Sequence, residues 1–140
     1  MKCISYSLEE VNKAVKWILE NVESKVVLFH GEMGVGKTTL IKSIIKELGI
    51  TQEISSPTYA IVNEYEIEND IIYHFDCYRL KSAEEALTIG IEEYLDTTHW
   101  VFIEWPNVIN ELVPLKHTTL QLVCNEDNTR TLKIMPVNNK

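Results

Sequence analysis

The chain has 140 residues, of which 45% are hydrophobic and 24% charged, and its formal net charge is −8. These values predict one soluble globular domain over residues 1–140, large enough to bury a core without disulfides. The acidic balance argues against unassisted nucleic-acid binding, which usually requires a basic surface. Because we find no signal sequence or membrane-length apolar stretch, and only three scattered cysteines, we expect a cytoplasmic protein.

The first half of the chain predicts helix, strand and helix in turn. Ser7 and Glu10 form a capping-box pattern ahead of apolar residues at helical spacing, which predicts a helix over about residues 8–23. The β-rich run at 25–30 predicts a buried strand. A glycine-rich loop follows, and then a second amphipathic helix that Gly49 ends.

The second half predicts strands and hairpins. The polar residues 50–58 indicate a loop, and Ser82 opens a short helix that Gly90 interrupts. We predict further strands at 59–67 and 71–76 as an antiparallel hairpin, at Trp100–Glu104, and in a C-terminal hairpin around Asn125 to Asn128. The fold class predicted is α/β, a P-loop NTPase-like three-layer sandwich with a mixed, partly parallel central sheet.

Residues 31–38, GEMGVGKT, fit the phosphate-loop pattern G-x-x-x-x-G-K-[ST] at every position. Glycines let successive backbone N–H groups turn toward phosphate oxygens, and the following helix adds its positive end. Lys37 is expected at the β- and γ-phosphates, the Thr38 hydroxyl on Mg²⁺ and Thr39 at the α-phosphate. The predicted nucleotide-binding set is Met33, Gly34, Val35, Gly36, Lys37, Thr38 and Thr39.

Two acids end apolar strands, as a phosphate-loop metal site requires: Asp76 and Glu104. One is expected to support the metal and the other to position or activate water, and the pattern does not decide which. His74 is interpreted as a satisfied strand histidine. Arg79 either meets phosphate charge or forms a surface ion pair, and Trp105 packs over the site or in the core. The chain lacks an Asn-Lys-x-Asp segment typical of guanine binding, which favours ATP.

Five segments occur together in order, namely GEMGVGKTT at 31–39, SPTY at 56–59, HFDCYRL at 74–80, IGIEEYL at 89–95 and IEWP at 103–106. This set resembles the bacterial TsaE family. The resemblance implies a cytoplasmic Mg²⁺-dependent ATPase, weak alone, needed for threonylcarbamoylation of adenosine 37 in tRNAs that read codons beginning with A. It implies action with TsaB and TsaD, whose turnover ATP hydrolysis drives, and contact with tRNA only through them.

The same resemblance assigns roles to single residues. Lys37 and Thr38 match the family's loop lysine and metal-binding threonine, and Glu104 matches a second metal-site residue. Asp76 matches a residue for water activation or metal support, so Lys37 and Asp76 are the catalytic candidates. Thr58 lies in a segment similar to a nucleotide-sensing switch. Two alternatives stay open: a small-molecule kinase, and a nucleotide-gated binding module in which hydrolysis is secondary.

Overall fold

The computed structural model describes residues 2–32, 34–53, 62–78, 80–96 and 98–135. Within them lie eight strands: β1 Lys2–Tyr6, β2 Val26–His30, β3 Ile50–Glu53, β4 Val62–Ile67, β5 Asp70–Asp76, β6 Trp100–Glu104, β7 Thr118–Cys124 and β8 Arg130–Met135. The helices are α1 Val11–Asn21, α2 Lys37–Leu48, α3 Ala83–Thr88 and α4 Ile91–Leu95, with 3₁₀ segments at Leu8–Glu10 and Pro106–Leu112. None of these described helices has the length and apolarity needed to cross a membrane.

One sheet joins the strands, with a parallel centre and antiparallel flanks. Its order is β1-β8-β7-β2-β6-β5-β4-β3. β2 is parallel to both of its neighbours, β7 and β6, and β5 is parallel to β6. The remaining pairs are antiparallel. The predicted mixed, partly parallel sheet is therefore confirmed, and the carboxyl ends of its central strands meet at one edge, where such sheets bind ligands.

Helices cover both faces of the sheet because the side chains of the central strands alternate between two cores. Val27 and Phe29 of β2 pack in a cluster with the buried faces of α1 and α2. Val26 and Leu28 pack in a second cluster with residues of α3, α4 and the 3₁₀ segment Pro106–Leu112. The predicted three-layer sandwich is confirmed by this division.

Both predicted helix starts form, although the first differs in its geometry. The Ser7 N–H donates to Glu10 Oε1 at 3.0 Å, and the Glu10 N–H donates to the Ser7 carbonyl at 2.9 Å. That second bond spans three residues, so the first turn is 3₁₀ and the α-helix runs only over Val11–Asn21. At α3, the Ser82 hydroxyl accepts the Glu85 N–H at 3.2 Å, as predicted.

Two edge strands depart from the predictions. The loop predicted over residues 50–58 is wrong at its start, because β3 pairs there with β4. Gly49, at φ 88°, ends α2 and turns the chain back, so backbone pairing along the sheet edge outweighs the polar composition. Lys2–Tyr6 was not predicted as a strand, and it pairs with β8 with mostly exposed side chains, which hides the usual alternation.

Candidate functional site

The segment between β2 and α2 takes its shape from glycine. Gly34 and Gly36 have φ of 80° and 107°, in the left-handed region that other residues disfavour. Gly36 is the N-cap of α2, and no described side chain caps this helix. The first N–H groups of α2 are therefore available to an anion.

Lys37 is held inside the site. It is 5% exposed, its Nζ donates to the Gly31 carbonyl at 2.6 Å, and it lies 3.5 Å from the centre of the Trp105 ring. Burial lowers the pKa of Lys37, while the charges of Glu104 and Asp76 act in the opposite direction. Trp105 has a left-handed backbone, φ 55°, directly after β6, and Tyr78 packs on its ring. The alternative that Trp105 packs over the site is thereby supported.

Thr38, Glu104 and His74 form a hydrogen-bonded chain. The Thr38 hydroxyl donates to Glu104 Oε1 at 2.9 Å, and His74 Nε2 lies 2.7 Å from Glu104 Oε2. Glu104 is 3% exposed. Burial raises its pKa, but the bonds from His74 and Thr38 and the charge of Lys37 outweigh burial, so the pKa of this carboxyl lies below its usual value. The prediction of a satisfied strand histidine holds for His74 only at Nε2, whose partner is the site carboxylate, because Nδ1 is buried with no hydrogen-bond partner among the described residues.

Asp76 lies beside Glu104 because the two residues are register partners on the parallel strands β5 and β6. Asp76 is exposed, and its Oδ1 accepts the Tyr78 N–H at 3.1 Å. A cavity of about 330 Å³ is bordered by Lys37, Thr38, Thr39, Asp76, Glu104 and Trp105, among others. The structure therefore brings these predicted site residues together at the carboxyl edge of the sheet.

Three residues singled out from the sequence, Met33, Thr58 and Arg79, lie outside the described residues. Conversely, Arg130 of β8 was overlooked. Its Nε–H donates to the carbonyl of Val35 at 2.9 Å, although the two residues are far apart in the chain. The signal was available, because Arg130 shares the buried positions of β8 with Leu132 and Ile134. A charged residue in an inward register is an exception that calls for an explanation.

The parallel strands, the loop between β2 and α2 and the clustered polar groups place the protein in the α/β class with a P-loop NTPase-like fold. Its sequence matches a family profile described as threonylcarbamoyl adenosine biosynthesis protein TsaE over residues 5–132. The chain therefore belongs to the TsaE family, which takes part in tRNA threonylcarbamoyladenosine biosynthesis.

Individual relatives agree with this assignment. The TsaE protein of Rickettsia felis is 36% identical over 131 residues, which are 91% of this chain and 75% of the relative. That of Bacillus subtilis is 32% identical over 115 residues, covering 82% and 72% of the two chains. The crystal structure of Bacillus subtilis YdiB superimposes with a TM-score of 0.74 at 25% identity, covering 99% of this chain and 88% of that one.

Proposed function

We propose that this chain binds ATP with Mg²⁺ and hydrolyses it, and that hydrolysis drives turnover of a TsaB–TsaD transferase complex in threonylcarbamoylation of tRNA adenosine 37. One observation carries the proposal: the Thr38 hydroxyl is bonded to the Glu104 carboxylate at 2.9 Å, in a cavity that Asp76 and Lys37 also border. The net charge of −8 agrees with tRNA being held by the partners.

The oxygen donors in this cavity fit Mg²⁺, which prefers hard oxygen ligands and keeps several of its waters. Thr38 and Glu104 would hold the ion, either directly or through its water shell. Bound Mg²⁺ supplies neutralisation of phosphate charge during phosphoryl transfer. His74 keeps the Glu104 carboxylate turned so that Oε1 is presented to Thr38.

The residues around the cavity have distinct tasks in this proposal. The Lys37 ammonium exchanges the Gly31 carbonyl for phosphate oxygens and stabilises their charge. Because the Tyr78 N–H holds one oxygen of Asp76, the carboxylate has a fixed direction and a second oxygen free to accept a proton from water. That water attacks the terminal phosphorus as the bond to the ADP oxygen breaks.

Substitutions at the cavity test the proposal. We expect Lys37→Ala to lower the rate of ATP hydrolysis by about a hundredfold or more, as for loss of one charge-stabilising donor. We expect Asp76→Asn to lower the rate about a hundredfold without loss of ATP affinity. The matched control is Asp96→Asn, which alters an exposed aspartate at the end of α4. Equal tRNA modification by wild-type chain and Lys37→Ala, with TsaB and TsaD present, would refute the proposal.

A second function, a nucleotide-gated binding module, draws support from the closed state of Lys37. Because this residue is bonded to Gly31 and covered by Trp105, ATP binding itself must rearrange the site. Asp76→Asn and Glu104→Gln separate the two functions. If both variants bind ATP, do not hydrolyse it and still support tRNA modification, the chain acts as a nucleotide-gated binding module. If modification fails in step with hydrolysis, the chain acts as an ATPase.

A further inference from the structure

A buried cation next to the phosphate loop has no counter-charge among the described residues. Arg130 is 9% exposed, and none of the described ion pairs includes it. Its hydrogen-bond partners are two backbone carbonyls, that of Val35 at 2.9 Å and that of Asn128 at 2.8 Å. These carbonyls accept hydrogen bonds from Nε and Nη1, but their dipoles leave the net charge of the guanidinium group uncompensated.

This arrangement is costly in the ligand-free protein. A guanidinium group stays protonated in proteins, and a buried charge is normally paired. Tyr6, the cross-strand partner of Arg130, does not supply the missing negative charge. Burial raises the pKa of Tyr6 to about 12, although the charge of Arg130 lowers it, so the phenol is neutral at physiological pH.

The position of Arg130 indicates what balances its charge. Its Nε–H holds the carbonyl of Val35, the residue before the N-cap Gly36. A methyl group placed on Gly36 would lie 3.9 Å from the same Nε. The charge therefore lies against the N-terminal end of α2, where helix amides and the loop already favour an anion.

We propose that Arg130 is a positioning residue of the phosphate loop, and that the phosphates of the bound nucleotide balance its charge. The Nε–H fixes the Val35 carbonyl, which orients the peptide leading into Gly36. The guanidinium group adds positive potential from behind the loop, without touching the reacting phosphate. This inference rests on the proposed binding of ATP.

Three substitutions at Arg130 separate its hydrogen bond from its charge. Arg130→Gln places an amide nitrogen where Nε stands, so it keeps the donor to Val35 and removes the charge. Arg130→Lys keeps the charge and lacks a donor at that position. Arg130→Met removes both the donor and the charge and keeps an unbranched side chain that reaches about as far as Nε. Lys133→Gln is the matched control, because it removes one positive charge from the same strand at a half-buried position whose pairing partners are Cys3 and Gln121.

The measurement is calorimetric binding of Mg²⁺-ATP and of inorganic tripolyphosphate, which carries phosphates without a base, at low and high salt. We expect Arg130→Met to weaken both ligands about tenfold or more, the size of one charge acting on a polyanion in protein surroundings. The affinities of Arg130→Gln and Arg130→Lys for both ligands should lie between those of Arg130→Met and wild type. The affinity of Arg130→Gln should depend less on salt than that of Arg130→Lys. Lys133→Gln should bind as wild type does.

Melting temperatures without ligand supply the second readout. Because Arg130→Gln keeps the loop bond and relieves an unpaired charge, it should melt no lower than wild type while binding more weakly. The inference would be overturned if Arg130→Gln and Arg130→Lys bound both ligands as wild type does. A loss of affinity for ATP alone would also overturn it, because that result would indicate contact with the base or sugar. If wild type binds neither ligand, the proposed ATP binding itself fails. Arg130→Gln and Arg130→Lys still test the inference if Arg130→Met does not fold.

Discussion

Lys37 shows how a single residue links stability to ligand binding. Its ammonium group, which would face phosphate in a complex, has a carbonyl and an aromatic ring as partners in the ligand-free chain. In the proposed complex, nucleotide binding would be an exchange of partners, and its affinity would be reduced by the free energy of the contacts that are given up. The lowered pKa of Lys37 has the same origin, since burial beneath Trp105 disfavours the charged form.

Gly31 gives a residue-scale prediction on packing. A Cβ there would lie 2.8 Å from the Leu122 carbonyl oxygen and 2.9 Å from Val35 Cγ1, too close for either. We expect Gly31→Ala to lower the free energy of unfolding by about 1–3 kcal/mol through overpacking, in addition to any strain from its φ of 157°. Gly34→Ala is the control, because its Cβ meets open space and only its φ of 80° is strained, at a cost of about 1–2 kcal/mol. Urea denaturation measures both, and a Gly31 variant as stable as wild type contradicts the clash.

His74 gives a second prediction, on the orientation of Glu104. His74→Leu removes the donor to Glu104 Oε2 and leaves a buried carboxylate short of a partner, at a cost of about 1–3 kcal/mol. His74→Gln can still donate. We expect the Leu variant to need several times more Mg²⁺ for half-maximal ATP binding, and the Gln variant to recover most of the difference. Equal Mg²⁺ requirements in both variants would show that the bond does not orient the carboxylate.

At the scale of elements, three strands are tied at the edge opposite the cavity. Lys25, just before β2, donates to Asp70 Oδ2 at 2.9 Å, and His99, just before β6, lies 2.6 Å from Asp70 Oδ1. Asp70 opens β5, so one carboxylate joins the starts of three neighbouring strands. Burial raises the pKa of Asp70, but the bonds from Lys25, His99 and the Ile71 N–H outweigh it and lower the pKa below its usual value.

A pH dependence follows from this lowered pKa. The contribution of Asp70 to stability is present above its unfolded pKa, near 3.8, and is lost as the pH falls through the folded value. We expect Asp70→Asn to lower the free energy of unfolding at pH 7 by about 0.5–1 kcal/mol, since the group is partly exposed. The difference from wild type should shrink below pH 4. Urea denaturation across pH 3–7 tests this, and Asp96→Asn should show no such convergence.

The central elements could be predicted from the sequence because their signals are local. The run before the phosphate loop, the capping residue Ser82 and the apolar residues leading to Glu104 each carry their own pattern. The edge strands β1 and β3 could not, since their pairing depends on β8 and β4 and little of β1 is buried. The pairing of such a strand depends on its neighbour in the sheet, so the sequence of the strand itself predicts it only weakly.

In the candidate site, too, some features could be predicted from the sequence and others could not. The loop motif and the two strand-end acids point to Lys37, Thr38, Asp76 and Glu104 directly. The contact between His74 and Glu104 depends on the parallel register of β5 and β6, which sequence does not reveal. Arg130 reaches the loop only because β7 lies next to β2 in the sheet and β8 lies next to β7. The sequence gives the residue types, but it does not show which distant residues the sheet brings together.

At the scale of the whole molecule, each face of the sheet buries a weak acid whose pKa is raised. Tyr6 belongs to the core beneath α1 and α2, and Cys77 to the core on the opposite face. Burial raises the pKa of Tyr6 from 10.0 to about 12, against the charge of Arg130. Burial, and secondarily the charge of Asp76, raises the pKa of Cys77 from 9.0 to about 12.

Alkaline pH should therefore weaken both cores. Each group stabilises the fold fully below its unfolded pKa, and the contribution is lost as the pH rises from 9.0 for Cys77, or 10.0 for Tyr6, toward about 12. We expect the free energy of unfolding, measured in urea with reductant present, to fall steadily above pH 9. Tyr6→Phe should flatten the decline above pH 10, whereas Cys124→Ala, at an exposed thiol, should not change it.

The contact between Lys37 and Trp105 has an optical consequence. The chain has three tryptophans, and of these Trp105 borders the cavity, with its ring 3.5 Å from a lysine ammonium. Indole emission is sensitive to such a charge and to solvent. If the chain binds ATP as proposed, Lys37 leaves the ring for phosphate and the emission of Trp105 should change, while Trp17 and Trp100, on α1 and at the start of β6, provide a constant background. Under the proposed function, Trp105 is thus an intrinsic fluorophore that would report the rearrangement of Lys37 on ATP binding without a label.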